Sequence, residues 1–180
     1  MEIFITNDDG WGAKGILTIV RIMSELGHVT VVAPDGARSG MSNAITVAQP
    51  IYLRQLNDPS WGAEEWQKNV TVYTTNGTPS DCVKLAIDVL CEGDSSKIDL
   101  LVSGINHGSN AGINVIYSGT MGACFVGAEH GIPAIGFSID DHSPEADFSH
   151  MEKYILELTK HLLEEEKPYG VCYNVNAPVG

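Results

Sequence analysis

Two adjacent carboxylates, Asp8 and Asp9, stand where a short apolar run, Ile3-Phe4-Ile5, gives way to glycines and polar residues. Paired acids at such a point offer hard oxygen ligands to a divalent cation, or a base to a water molecule. Adjacent side chains on an extended strand point to opposite faces, so both carboxylates can address one ligand only where the backbone turns. Gly10 and Gly12 supply that turn. Taken alone, the stretch is equally a solvated acidic turn with an aspartate capping the next helix. Two further stretches add oxygen and amide groups: Ser39 and Asn43 in PDGARSGMSN (34–43), and Asn106, Asn110 and Ser118 in SGINHGSNAGINVIYSGT (103–120). Each asparagine or serine singly can serve its own turn. Pooled, two carboxylates with hydroxyl and amide oxygens suit magnesium or manganese rather than zinc, which prefers nitrogen and sulfur. Ser118, Gly119 and Thr120 precede a helical pattern that opens at Gly122, and hydroxyls with free amides at a helix N-terminus match a phosphate.

Those residues need a scaffold that brings three loops together. Ile3 to Ile5 reads as a buried strand, and Ile16, Ile19, Val20, Met23 and Leu26 follow on one helical face up to a stop at Gly27. HVTVVA (28–33) is a second strand, so the first thirty-odd residues form a βαβ unit and predict a parallel sheet. Short strands are expected at Ile45–Val47, Ile51–Leu53 and 70–74, with 57–69 an exposed excursion or hairpin at an oligomer contact. Thr78-Pro79-Ser80-Asp81 has the form of a helix start, with Thr at the cap, Pro next and an acid at the third position. That helix runs to about Leu90; strands follow at 98–102, 134–139 and 171–175, and a helix at 122–130. Ser149-His150-Met151-Glu152 reads as a capping box for a last helix to about Glu165. Nothing repeats and no linker divides the chain. The expected fold is one three-layer α/β/α domain, doubly wound on a mostly parallel sheet in the Rossmann manner, with the three loops leaving the carboxyl ends of neighbouring strands around one crevice.

Composition narrows the classes. The chain has 180 residues, 43% apolar and 18% charged, which is globular and long enough to bury a core. Acidic residues outnumber basic ones by 23 to 10, a net charge of −13 that opposes binding of a nucleic-acid polymer but leaves a small phosphorylated substrate open. Cys82, Cys91, Cys124 and Cys172 have no metal-ligand spacing and read as reduced thiols of a cytoplasmic protein. No apolar run has membrane length, and the N-terminus reads as a strand rather than a signal peptide. The Walker A pattern and the G-x-G-x-x-G fingerprint are both absent, and Asn7-Asp8-Asp9 is not the D-x-D of an aspartyl-phosphate enzyme. His107, His142 and His161 are taken as bystanders, and Trp11 as either a base-stacking ring or a packing one.

The stretches ITNDDGWGAKGI, VVAPDGARSGMSNAIT, NGTPSDCVKLAI, DLLVSGINHGSNAGINVIYSGTMGA and GIPAIGFS, in that order, resemble the SurE (survival protein E) family over most of residues 3–138. The resemblance implies a metal-dependent 5′/3′-nucleotidase with one divalent cation per subunit, Mg2+ or Mn2+, held at the positions of Asp8, Asp9, Ser39 and Asn106. The substrate is then a nucleoside monophosphate, with Asp8 or Asp9 as the base for water, or both as ligands with the hydroxide made by the metal itself, and Asn43, Asn110, Ser118, Gly119 and Thr120 on the phosphate side. A broader phosphatase acting on short polyphosphate, or a sensor that binds without turnover, are the rival readings. The family implies a homodimer or homotetramer, and its members usually run past the N-V-N-x-P stretch, here 174–178, into a C-terminal oligomerisation segment that this sequence is expected to lack.

Overall fold

The structure is a computed structural model and describes residues 1–57, 61, 64–143, 145–165 and 168–179. Seven strands form one sheet: β1 (Glu2–Thr6), β2 (His28–Pro34), β3 (Arg54–Gln55), β4 (Val70–Thr75), β5 (Leu100–His107), β6 (Ala134–Ile139) and β7 (Cys172–Ala177). Their order is β3-β4-β2-β1-β5-β6-β7, and every pairing is parallel except that of β3 with β4. Helices cover both faces: α1 (Lys14–Met23), α2 (Pro79–Leu85), α3 (Gly119–Glu129) and α4 (Glu152–Glu164). The strand alternation assigns each residue to a layer. Ile3, Ile5, Val29, Val31, Leu100, Val102 and Phe137 pack with α1 and α4, while Phe4, Val32, Leu101 and Ala134 pack with α2 and α3. The three-layer, doubly wound expectation therefore holds. From β1 the chain winds outward through β2 and β4, then returns to β5 on the other side of β1, so the winding reverses between β1 and β5.

Several expectations need correction. Neither Ile45–Val47 nor Ile51–Leu53 is a strand. Side chains of the α2 entry satisfy that backbone instead: Thr46 donates its N–H (2.9 Å) and hydroxyl (2.6 Å) to Asp81, and Thr78 donates its hydroxyl to the Ala44 carbonyl at 2.6 Å. Asp81 also closes the predicted cap of α2, accepting the Thr78 N–H while the Thr78 oxygen accepts its own. That helix gives way to a π turn over Ala86–Leu90. Within 57–69, Trp61 is only 6% exposed and joins the α1/α4 core, and Glu65–Asn69 is a 3-10 turn rather than a hairpin; residues 58–60, 62 and 63 lie outside the described residues. The capping box at Ser149 does not form: Ser149 donates its N–H and hydroxyl to Asp147, the segment Ser149–Met151 is a 3-10 turn, and Glu152 is drawn to Arg21 on α1. Last, β5 continues to His107, with a register irregularity between Ser103 and Asn106, so the third loop begins five residues later than expected.

Candidate active site

The end of β1 turns under its own side chains. Asn7 is fully buried, donates to the Gly10 carbonyl (3.0 Å) and accepts the Gly10 N–H (3.2 Å), closing a tight loop around Asp8 and Asp9. Gly10 sits at φ +100°, where a side chain would be strained. The second loop locks onto the first: the Arg38 N–H donates to the Asp8 carbonyl (2.6 Å), and the Trp11 N–H donates to the Pro34 carbonyl (3.0 Å). On the opposite side α3 starts at Gly119, three residues earlier than the periodicity predicts, because Ser118 caps it by accepting the Met121 N–H. Gly119 and Thr120 thus belong to its first turn. Thr120 is fully buried and donates its hydroxyl to Asp8 Oδ1 at 2.9 Å, and a Cβ on Gly119 would come within 2.9 Å of Asp8 Cβ.

These loops enclose a crevice of about 350 Å³ at the point where the winding reverses. Asp8, Asp9, Ser39, Asn106, Asn110 and Ser118 all line it, so six predicted residues converge. Three do not reach it. Asn43 is turned away and accepts from the Ser80 hydroxyl at 3.0 Å, while Gly119 and Thr120 stand behind Asp8. Trp11 is partly buried against the core and does not line the crevice, in keeping with the packing alternative. His107 and His142, taken as bystanders, both line the wall, His142 with its ring over Gly108. Tyr117, 61% exposed, and Asn114 complete the outer rim. Nothing in the spacing of these rim residues marked them; only the fold of the third loop does.

The electrostatics favour a cation. Asp8 is 5% exposed, and burial, followed by the neighbouring charge of Asp9, pushes its carboxyl up from the usual 3.8 to about 6, against the Thr120 hydrogen bond. Burial also raises Asp9, against the opposing pull of His107. Asp9 Oδ2 is buried and has no hydrogen-bond partner, a costly state for a carboxylate. The Asn106 amide nitrogen is spent on the His107 (3.1 Å) and Gly108 (2.7 Å) carbonyls, which leaves its oxygen for a ligand. Among the described residues no group of three or more His, Cys, Asp or Glu side chains is placed to hold a metal ion by itself, so any ion in the crevice would draw on the Ser39 and Asn106 oxygens as well as the two carboxylates. A divalent cation bound here would compete with the proton on Asp8, so any manganese affinity would fall about tenfold per pH unit below about pH 6 and level off above it, as titration calorimetry across pH 5 to 8 would read.

A doubly wound α/β domain with a paired-carboxylate crevice at its switch point is the class that fold and site define. The chain matches the Survival protein SurE family over residues 3–180 and belongs to that family. It is 49% identical over 176 residues to the 5'-nucleotidase SurE of Christiangramia forsetii, a match covering 98% of this chain and 64% of that protein. With the 5'-nucleotidase SurE of Porphyromonas gingivalis it shares 43% identity over 180 residues, 100% of this chain and 66% of the relative. The chain thus spans under two thirds of the length of these relatives. The crystal structure of the SurE protein from Aquifex aeolicus superposes with a TM-score of 0.84 at 33% identity, covering 100% of this chain and 67% of that one.

Proposed function

We propose that the crevice hydrolyses nucleoside monophosphates, 5′ and also 3′, to nucleoside and inorganic phosphate with the help of one divalent ion, Mg2+ or Mn2+, per subunit. The observation that carries the proposal is the Asp8–Asp9 pair, Asp8 buried and Asp9 half-buried with one unsatisfied buried oxygen, beside the hydroxyl-capped N-terminus of α3 in one crevice. Asp8, Asp9, Ser39 and Asn106 would hold the ion, whose charge supplies electrostatic stabilisation of the phosphoryl group and a lowered pKa for water. Thr120 fixes Asp8, so Asp9 is the freer acceptor for a water proton. Water oxygen bonds to phosphorus as Asp9 takes its proton, the ester P–O bond breaks, the nucleoside oxygen takes a proton from solvent, and Asp9 returns its own to solvent. Ser118 and Asn110 lie on the crevice wall where the remaining phosphate oxygens would be held, at the positive end of the α3 dipole. The names of the relatives support the nucleotidase reading; the four free cysteines suit a reducing, cytoplasmic setting, and assembly as a homodimer or homotetramer belongs to the same proposal. Gly119 and Thr120 would serve the site from behind Asp8.

The test is phosphate release from a panel of nucleoside 5′- and 3′-monophosphates with manganese, with magnesium and with chelator. Release that needs the metal and ranks the monophosphates above tripolyphosphate is expected. Equal release in chelator, or release from tripolyphosphate alone, would overturn the reading.

A further inference from the structure

The last strand carries two asparagines that no step above uses. Alternation along β7 sends Val175 and Ala177 to the α1/α4 core and Cys172 to the α2/α3 side, so Asn174 and Asn176 share the face of Cys172. At these two residues that face meets the third loop. Asn176 Oδ1 accepts the backbone N–H of Asn110 (2.7 Å) and the Ser109 hydroxyl (3.2 Å). The Asn176 amide nitrogen donates to Asn174 Oδ1 (2.9 Å), and the Asn174 amide nitrogen donates to the Asn110 carbonyl (2.9 Å). Both backbone groups of Asn110 are thereby held by one strand, while its side chain donates to Ser138 on β6 at 2.9 Å.

The segment so held needs holding. It is bounded by Gly108 at φ +94° and Gly112 at φ +59°, and glycine has the widest backbone freedom of any residue. An unclamped loop would have to be ordered each time a ligand binds, at a direct cost in affinity. An amide suits both positions, because Asn176 and Asn174 each accept with the oxygen and donate with the nitrogen.

We propose that Asn174 and Asn176 are positioning residues, an amide clamp that presents Asn110 to the phosphate group in the crevice. The inference rests on the nucleotidase reading for its ligand, though not for its geometry. The clamp sets how tightly the monophosphate is held more than how fast it is cleaved, since neither asparagine lines the crevice.

The test uses Asn176→Ala, Asn174→Ala and Asn110→Ala, singly and combined, with kinetics in manganese and hydrogen exchange of the Asn110 backbone amide. Asn176→Ala is expected to raise KM about tenfold with kcat changed by less than about threefold, and to speed Asn110 exchange more than about tenfold while the core amides keep their protection. In an Asn110→Ala background the same substitution should leave KM within about twofold, because the group being positioned is gone. A wild-type KM in Asn176→Ala, or a loss that persists undiminished in the Asn110→Ala background, would overturn the clamp. Should Asn176→Ala fold poorly, the exposed Asn174→Ala reads the same coupling through the Asn110 carbonyl. If the intact protein releases no phosphate from any monophosphate, the nucleotidase reading fails on that count, and the exchange rate at Asn110 still decides whether the clamp exists.

Discussion

Replacing Asp8 by asparagine is expected to cut phosphate release on the order of a thousandfold while making the metal-free protein more stable at pH 7.5. The first effect follows, on the proposed reading, from losing one of the two carboxylates that would hold the cation. The second follows from what the folded state tolerates to keep that carboxylate. Asp8 titrates near 6 in the folded chain rather than at 3.8, so its neutral form is favoured by folding. Below pH 3.8 the group is protonated folded or unfolded and contributes nothing. As pH rises from about 4 to about 6 the unfolded chain ionises first, folded stability falls, and above about 6 the loss is complete. Its size is on the order of 3 kcal/mol at neutral pH. Asparagine carries no such penalty and still offers an oxygen to Thr120, so a gain of about 1–2 kcal/mol, or several degrees in Tm, is expected in chelator. Manganese should reverse the order, stabilising the wild type and not the variant. Thermal melts at pH 4.5 and 7.5, with and without manganese, read both halves. A variant no more stable than wild type at pH 7.5 in chelator, or one with full turnover, contradicts this account of the site.

Gly15→Ala is expected to be strongly damaging, although alanine is the better helix former by about 1 kcal/mol. A Cβ at position 15 would lie 2.1 Å from the Ile105 carbonyl oxygen and 3.1 Å from its carbon. The obstacle is backbone, which cannot rotate aside as a side chain does, so the start of α1 or the end of β5 must shift. Overpacking costs typically 1–3 kcal/mol and here should exceed about 3, a fall of roughly 10 °C in Tm. Ile105 precedes Asn106, so the same shift should weaken manganese binding at low temperature, where the variant is folded. A Tm within about 2 °C of wild type would mean that α1 yields more easily than this contact allows.

What the sequence reveals depends on how local the cause is. The strand at 134–139 and the cap at Thr78 and Asp81 are read correctly because their signals lie within a few residues. The crevice is legible for a different reason: glycine loops after apolar runs must converge at the carboxyl ends of neighbouring parallel strands, which brings Asp8, Asp9, Ser39 and Asn106 together. Where a residue has a distant partner, local rules fail. Ile45 to Val47 has strand composition, yet Asp81 takes the Thr46 backbone group that a ladder would need. Ser149 and Glu152 have capping-box spacing, but Asp147 and Arg21 bind them first. Asn174 and Asn176 show in the sequence only as two polar residues in a strand, because their partner lies 64 and 66 residues away at Asn110.

The interlock of the first two loops bears on how this protein can change. Gly10 packs within 3.2 Å, measured from where its Cβ would stand, of the Gly36 backbone, and each loop hands the other a backbone hydrogen bond at Asp8 and at Trp11. The two segments are therefore one unit of exchange. A chimaera that imports only one of them from a distant relative inherits a mismatched pair, whereas importing both together keeps the carboxylates in register. An insertion in 34–43 displaces Asp8 as surely as one beside it, so the tolerance for length variation around the crevice is set by the stiffer of two loops that the helix α1 and the strand β2 separate in the chain.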